Sequence, residues 1–418
     1  MATGRSVRGH FFGGFEMTDT RSSQPVDVAS AVQFLMALHF INWLGFAGWN
    51  AMLHNYTIEA VGFGWFEAGL TQTVREIPGF LAFTVAFWLM IVREQVLGYV
   101  ALVILGCGVA LTGTNPTLTG VLLATFVMSV GFHYFETVNT SMQLQLLPKA
   151  QAPSLIGRII SAGASAQFVA YGSLALVWWL GYRNYAVLYA ILGLACATLT
   201  VVAMMTFKRF QGPVRQRPGL VVRKRYGLYY ALTFMSGARR QLFMAFGGFL
   251  LVKKFGYTVA DMSVLMLVTS SSNTFFAPRL GRLVQKWGER NTIMLENSVL
   301  ICVFIGYAMT DNAYLAAGLF IIDGIFFTLI LAQKTYFQKI GDPADMAATA
   351  SVAFTINHIA AVAIPVSFGL IGTINYSIIF WLGAGIATTS LLLSLLVPLD
   401  PGPGRETVLV RPRTQPAE

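Results

Sequence analysis

Twelve apolar stretches, each long enough to cross a bilayer, constrain this chain more than any other feature. Crossing the hydrocarbon takes about 20 residues of helix. Lipid offers no partners to backbone N–H and C=O groups, so such stretches must be helical. They fall at 28–52, 60–84, 96–113, 117–140, 155–181, 184–206, 227–252, 259–282, 291–310, 313–335, 346–371 and 375–398. Only the turn-forming Thr112-Gly113-Thr114-Asn115-Pro116 separates the third from the fourth. Hydrophobic residues make up 56% of the chain and charged residues 11%. Soluble domains carry about 25% charge, so this chain cannot clothe a water-facing surface but can face lipid. Cys107, Cys196 and Cys302 all lie in apolar stretches, which excludes a disulfide framework.

The net charge of +10 is a topology signal rather than a nucleic-acid footprint. With the N-terminus on the cytoplasmic side, 22 of the 28 Lys and Arg residues fall on that side and only Arg183, Lys253 and Lys254 on the other. Losing or adding one helix near the start would collapse that asymmetry. Both termini are therefore expected in the cytoplasm, with the inner membrane of a bacterium as the location. The longest polar interruption, 207–226, sits at the midpoint and carries seven basic residues. The expected organisation is a disordered tail (1–27), a six-helix bundle (28–206), a basic linker (207–226), a second six-helix bundle (227–398) and a disordered tail (399–418). A shift of about 201 residues lays Tyr56-Thr57 on Tyr257-Thr258, His39 on Arg240 and Gly79 on Gly281. A shift of 190 lays Ser161 on Ser351 and Gln167 on Asn357. Two parallel halves are the simplest account.

The loop after the eighth stretch reads Gly281-Arg-Leu-Val-Gln285-Lys286-Trp-Gly288-Glu-Arg290. It resembles the signature loop of the major facilitator superfamily, and with the twelve-helix pattern the resemblance covers about 28–398. Gly281, Lys286, Gly288 and Arg290 match, and Gln285 stands where the family has an acid. In the first half Gly79, Leu81 and Ala82 fit the start of the signature, but Phe83 and Thr84 replace its charged pair. Gly163 and Gly172 keep the spacing of the drug exporters' fifth-helix motif without its Gly-Pro, which argues against a drug-proton antiporter. The resemblance implies an all-α protein of two pseudo-symmetric six-helix bundles. It also implies secondary transport of a small solute by alternating access, with gating residues at Gly281, Lys286, Gly288 and Arg290. It implies no enzyme activity and no cofactor. Rival readings are a transport-inactive relative serving as sensor or assembly partner, and a passive facilitator.

Charged groups at membrane depth are costly and usually face a cavity or pair with each other. Arg239 and Arg240 lie about 13 residues into the seventh helix, about 20 Å deep at the helical rise. Successive side chains point about 100° apart, so only one can face a given spot. Arg240 is assigned to the cavity because its repeat counterpart His39 lies mid-helix beside Asn42. A guanidinium there suits an anionic or zwitterionic solute; the bland alternative is an ion pair with Asp323 or Glu136. Glu136, His133 and Asp323 are also the candidates for proton coupling, since carboxyl and imidazole groups change protonation with their surroundings. Metal binding by His133 and Glu136 lacks an evident third ligand. Arg75-Glu76 is expected to be a gating or packing pair. Asn42, Gln167, Ser270, Ser271, Ser272, Asn273, Asn357 and His358 share one depth and suggest a polar cavity lining, although each alone is a common helix-to-helix hydrogen-bonding group. Trp43, Trp49, Trp178 and Trp179 are expected to be anchors or packing. The partners expected are a small solute, lipid and protons, with no nucleic acid, and the chain is expected to be a monomer.

Overall fold

The structure is a computed structural model, and it describes residues 27–148, 151–210, 222–342 and 346–409. The tail 1–26, most of the basic linker (211–221) and residues 410–418 lie outside the described residues. In chain order the helices are α1 (Val28–Tyr56), α2 (Trp65–Phe80), α3 (Glu94–Thr112), α4 (Leu118–Leu146), α5 (Ala152–Trp179), α6 (Tyr185–Thr206) and α7 (Gly227–Phe255). α2 runs on through a 3-10 turn, Leu81–Thr84, into Val85–Trp88. Helical hydrogen bonding is continuous over Val259–Met309, but Gly288 has φ 78°, a left-handed value open to glycine. That residue turns the chain, giving α8 (259–287) and α9 (289–309). α10 (Ala313–Phe326) continues through Phe327–Ile330 into Leu331–Ile340, followed by α11 (Met346–Gly372) and α12 (Tyr376–Ser394). The twelve expected spans are present, each within a few residues of the apolar stretch that encodes it.

The even-numbered helices begin on the face away from the chain ends, hereafter the far face; the opposite side is the terminal face. The far-face loops are short, and polar residues cap the helices they feed. Thr117, Asn184, Thr258, Asn312 and Asn375 each accept a backbone N–H from the first turn of α4, α6, α8, α10 and α12. Among the described residues, nine helices are long and apolar enough to span a bilayer unaided. α2, α7 and α8 are not among those nine, and they carry Arg75-Glu76, Arg239-Arg240 and the Ser270–Asn273 run. Such helices are stable in a membrane only when protein covers their polar sides, so their weakness as spans points to the centre of the molecule. The lipid-facing helices show the complement, with exposed Leu194, Met205, Leu315 and Trp381.

α1–α6 pack among themselves, as do α7–α12, forming two six-helix bundles that meet mainly through α2 with α11 and α5 with α8. At the α2–α11 seam the helices touch through main chain. A Cβ on Gly69 would meet the Pro365 carbonyl oxygen, and one on Gly369 would lie 2.7 Å from the Trp65 carbonyl oxygen. One turn deeper the Thr73 hydroxyl donates to the Val362 carbonyl (2.8 Å) and accepts from the Val366 N–H (3.2 Å). A regular helical turn would pair those two α11 groups with each other, and Pro365 beside them has no N–H to offer. Asn55 donates to the Tyr257 carbonyl (2.7 Å), Lys253 donates to the Phe63 carbonyl (3.1 Å), and Trp65 stacks on Tyr376. All of these lie on the far-face side of mid-depth. Beyond the level of Glu76 and His358 towards the terminal face, no hydrogen bond or ion pair among the described residues joins the halves. Among the described residues, the polar contacts between the halves are thus confined to the central level and the far face.

The last segment departs from expectation. Residues 399–409 fold back rather than lying free, with Asp400 paired to Arg405 (2.9 Å). The Val408 N–H bonds to Leu396, Glu406 is buried, and the Tyr336 hydroxyl donates to the Glu406 carbonyl. The acid that Gln285 lacks is supplied four residues on. Glu289 is buried and pairs with Lys339 of α10 at 2.9 Å.

Candidate functional site

The two arginines part company at mid-depth on α7. Arg239 is buried and turned into its own bundle, where it donates to Asn297 (2.9 Å) and Glu296 (2.5 Å) of α9. Its partner acid is Glu296, which is not among the candidates, Asp323 and Glu136, of the alternative ion-pair reading. Asp323 is buried on α10 within electrostatic reach of that pair. Arg240, a third of a turn round, is half-buried and makes no hydrogen bond or ion pair among the described residues. It lies within electrostatic reach of Glu76, His133 and His358.

Those three groups form a knot between the halves. Glu76 of α2 holds Arg75 through one carboxylate oxygen at 2.6 Å. Its other oxygen is buried, without a hydrogen-bond partner, and 3.7 Å from Nε2 of His358 on α11. His358 Nδ1 donates to the Phe354 carbonyl (2.9 Å), which fixes the ring's orientation. His133 of α4 completes the group, and the three possible ligand atoms lie within 4.8 Å of one another. Gly79 makes room for the rings, since a Cβ there would lie 2.8 Å from His133 and closer still to His358. The spacing is loosely that of a two-histidine, one-carboxylate metal site. The guanidinium on Glu76 and the second one beside it oppose a dication, so the arrangement reads as a charge knot rather than a metal centre. Arg75-Glu76 lies in the last turns of α2 before Phe80, and the helical path runs on to Trp88.

On the first bundle's wall, Asn42 donates to Glu136 (2.8 Å), and the Asn139 amide meets His39 Nδ1 (3.3 Å), which is itself 4.0 Å from Glu136. The amide oxygens of Asn42 and Asn139 are buried without partners. Above them Phe46 and Phe132 stack at 4.4 Å, Trp43 stands edge-on to both, and Arg75 lies over the Phe46 ring. Trp43 is thus part of an aromatic wall rather than an interface anchor. Trp49, expected to be an anchor or packing, is fully buried as packing and donates to Thr112 (3.1 Å). On the second bundle's wall, Asn357 packs against Gly237, one turn before Arg240. Gln167 accepts from Ser270 across the α5–α8 contact (2.9 Å), and the Asn273 amide oxygen is without a partner. Gln72 and Gln241 meet 2.6 Å apart between α2 and α7.

His39, Asn42, Glu136, His133, Glu76, Arg75, Arg240, Asn357 and His358 therefore share the central level, with Gln167 and Asn273 beside them. Asp323 and Arg239 lie inside the second bundle instead. The loop residues behave differently from a clasp between halves. Lys286 is exposed and unpaired among the described residues, Arg290 forms no described ion pair, and the Glu289–Lys339 bridge stays within the second bundle. Gly281 has open space around it, whereas Gly288 is required by its backbone angle. Sequence reasoning did not single out Glu296, Asn297, Gln72, Gln241, Asn139 or Thr73. Glu296 had a signal, being a carboxylate within an apolar span.

No protein-family model matches the sequence, and no curated protein matches it. Solved structures do match in fold. A point mutant of the nucleoside transporter NupG aligns with a TM-score of 0.72 at 16% identity, over 87% of this chain and 98% of that one. A bacterial homologue of the human lysosomal transporter Spinster, inward-facing and occupied, aligns at 0.70 and 14%, over 90% and 97%. A POT family transporter bound to 5-aminolevulinic acid aligns at 0.70 and 12%, over 88% and 95%. The chain has the fold of the major facilitator transporters. It is an integral, multi-pass membrane protein.

Proposed function

We propose that the protein is a secondary transporter for a small anionic or zwitterionic solute, worked by rocking two bundles about a mid-membrane site. The observation that carries this is Arg240, a half-buried guanidinium at mid-depth with no hydrogen bond or ion pair among the described residues, at the junction of the halves and on the terminal-face side of the closed seam. An unpaired cation at that depth is too costly to keep without a use, and a guanidinium binds carboxylate or phosphate through a planar fork. The neighbours in fold, transporters for nucleosides or with 5-aminolevulinic acid bound, support a small polar solute. The basic loops favour a cytoplasmic terminal face, and with the far-face contacts closed this supports reading the state as inward-opening. Proton coupling fits the Glu76–His133–His358 knot, because Glu76 and His358 belong to opposite bundles and must separate when these rock apart.

The test is a thermal-shift screen of the purified protein against a broad solute library, with Arg240→Ala beside it. A bound ligand raises the melting point with its affinity and concentration. The expected result is a shift by acids or zwitterions that Arg240→Ala loses while keeping its own fold. A response confined to cations and apolar compounds would overturn the reading.

A further inference from the structure

Resting on that reading, we propose that the solute is a zwitterion whose ammonium and carboxylate ends are separated by a flat aromatic body. Its carboxylate lies on Arg240 and its ammonium on Glu136, with Trp43 and Phe132 against the ring. Two observations on the first bundle's wall, and the placement of that wall opposite Arg240, carry this.

The first is an excess of acceptors. The Glu136 side chain is 35% exposed. Beside it are the partnerless amide oxygens of Asn42 and Asn139, both residues essentially inaccessible to solvent. Buried acceptors without donors are rare and costly. An ammonium has three donors and no acceptor, and it suits a carboxylate flanked by such oxygens. Both amide nitrogens are already committed, Asn42 to Glu136 and Asn139 to His39. Their donors therefore hold the wall in shape while their oxygens are left over.

The second is the ring surface. Trp43 and Phe132 are half-buried one helical turn from His39 and Glu136, perpendicular to one another at 6.1 Å. Each is backed by Phe46. Two rings locked edge to face present a rigid corner, which suits a flat ligand body at little entropic cost. Gly163 lets α5 close against this corner and hold it: a Cβ there would lie 2.8 Å from both His39 and Trp43.

The third is placement. Glu136, Asn42 and Trp43 belong to α1 and α4, and Arg240 to α7 in the other bundle. Glu76, His133 and His358 lie within electrostatic reach of Arg240 and Glu136 does not, so a ligand with a charge at each end suits the two walls better than one with both charges on one carbon. Such a ligand would also tie the bundles to each other on binding.

Three probes of similar length separate the parts: 4-(aminomethyl)benzoate, 4-methylbenzoate without the amine, and 6-aminohexanoate without the ring. Binding is read by calorimetry on the purified full chain. The expected result is that 4-(aminomethyl)benzoate binds at least tenfold more tightly than either other probe. Glu136→Gln should bring its affinity down to that of 4-methylbenzoate. Phe132→Leu should bring it down to that of 6-aminohexanoate. Equal binding of 4-methylbenzoate overturns the ammonium site, and equal binding of 6-aminohexanoate overturns the aromatic wall. If none of the three binds while other acids shift the melting point through Arg240, this inference fails and the anion reading stands. If no acid acts through Arg240, both fall.

Discussion

The Thr73 hydroxyl offers a direct way to tilt the balance between the two states of the seam. It serves the Val362 carbonyl and the Val366 N–H of α11 together, from the opposite bundle, and is nearly buried (8% exposed). Thr73→Val keeps the shape and removes both bonds. When the halves are parted on the far face, the two α11 groups can pair along their own helix or meet water. In the shut state of the variant they face a methyl group. Leaving buried polar groups short of a partner costs about 1–3 kcal/mol, while hydrogen bonds between membrane helices average nearer 0.6 kcal/mol. We expect about 1–2 kcal/mol against the shut state, a factor of about 5–30 in its ratio to the open one. A protein resting roughly nine parts in ten shut would become roughly even or mostly open. The assay is a spin-label distance between Tyr182→Cys and Tyr314→Cys, far-face positions in opposite bundles that are 43% and 88% exposed. The background replaces the exposed Cys107 and Cys302 by alanine and leaves the buried Cys196. Thr73→Val should move population to the longer distance, and Thr73→Ser, which keeps the hydroxyl, should not. An unchanged distribution in Thr73→Val would refute the role given to the hydroxyl.

The same label pair tests the main-chain seam. Gly69→Val places carbon against the Pro365 carbonyl, and the short-distance population should nearly vanish; if it persists, the helices are not in backbone contact there. Within the second bundle, Arg239→Ala should cost about 3–5 kcal/mol by stranding Glu296 as an uncompensated buried charge, read as a loss in thermal or denaturant stability. Replacing both, as Arg239→Met with Glu296→Leu, should recover much of that loss, and additive losses instead would mean that the pair is not coupled.

The spans were legible because a lipid-crossing helix must be apolar along its own length, a property carried by contiguous residues. Depth was legible for the same reason, and it placed Arg239 and Arg240 at the centre from their distance along α7. Their division of labour depends on which way α7 turns against α9, and α9 is remote in sequence. Glu296 could be seen as an intramembrane carboxylate but not as the partner of Arg239. The Thr73 contact was hidden more deeply, because a threonine in a membrane helix ordinarily bonds to its own backbone. Nothing in the sequence around it shows that Pro365 waits in another helix. The folded-back 399–409 segment was misread because its Pro and Gly content resembles a tail, while its order comes from Tyr336 and Glu406, 70 residues apart. At the loop after α8, Gln285 stands where the family has an acid, and only the structure shows that Glu289 uses the turn at Gly288 to reach Lys339.

The α2–α11 seam has a kinetic consequence. Where two surfaces meet through side chains, rotamers can rearrange one by one, and the gap can widen in small steps. Gly69 and Gly369 bring main chain against main chain, with nothing between that can rotate aside. A seam of that kind offers no half-open arrangement. Its parting should register as one abrupt event in a single-molecule trace, with dwell times set by a single barrier rather than by a ladder of intermediates.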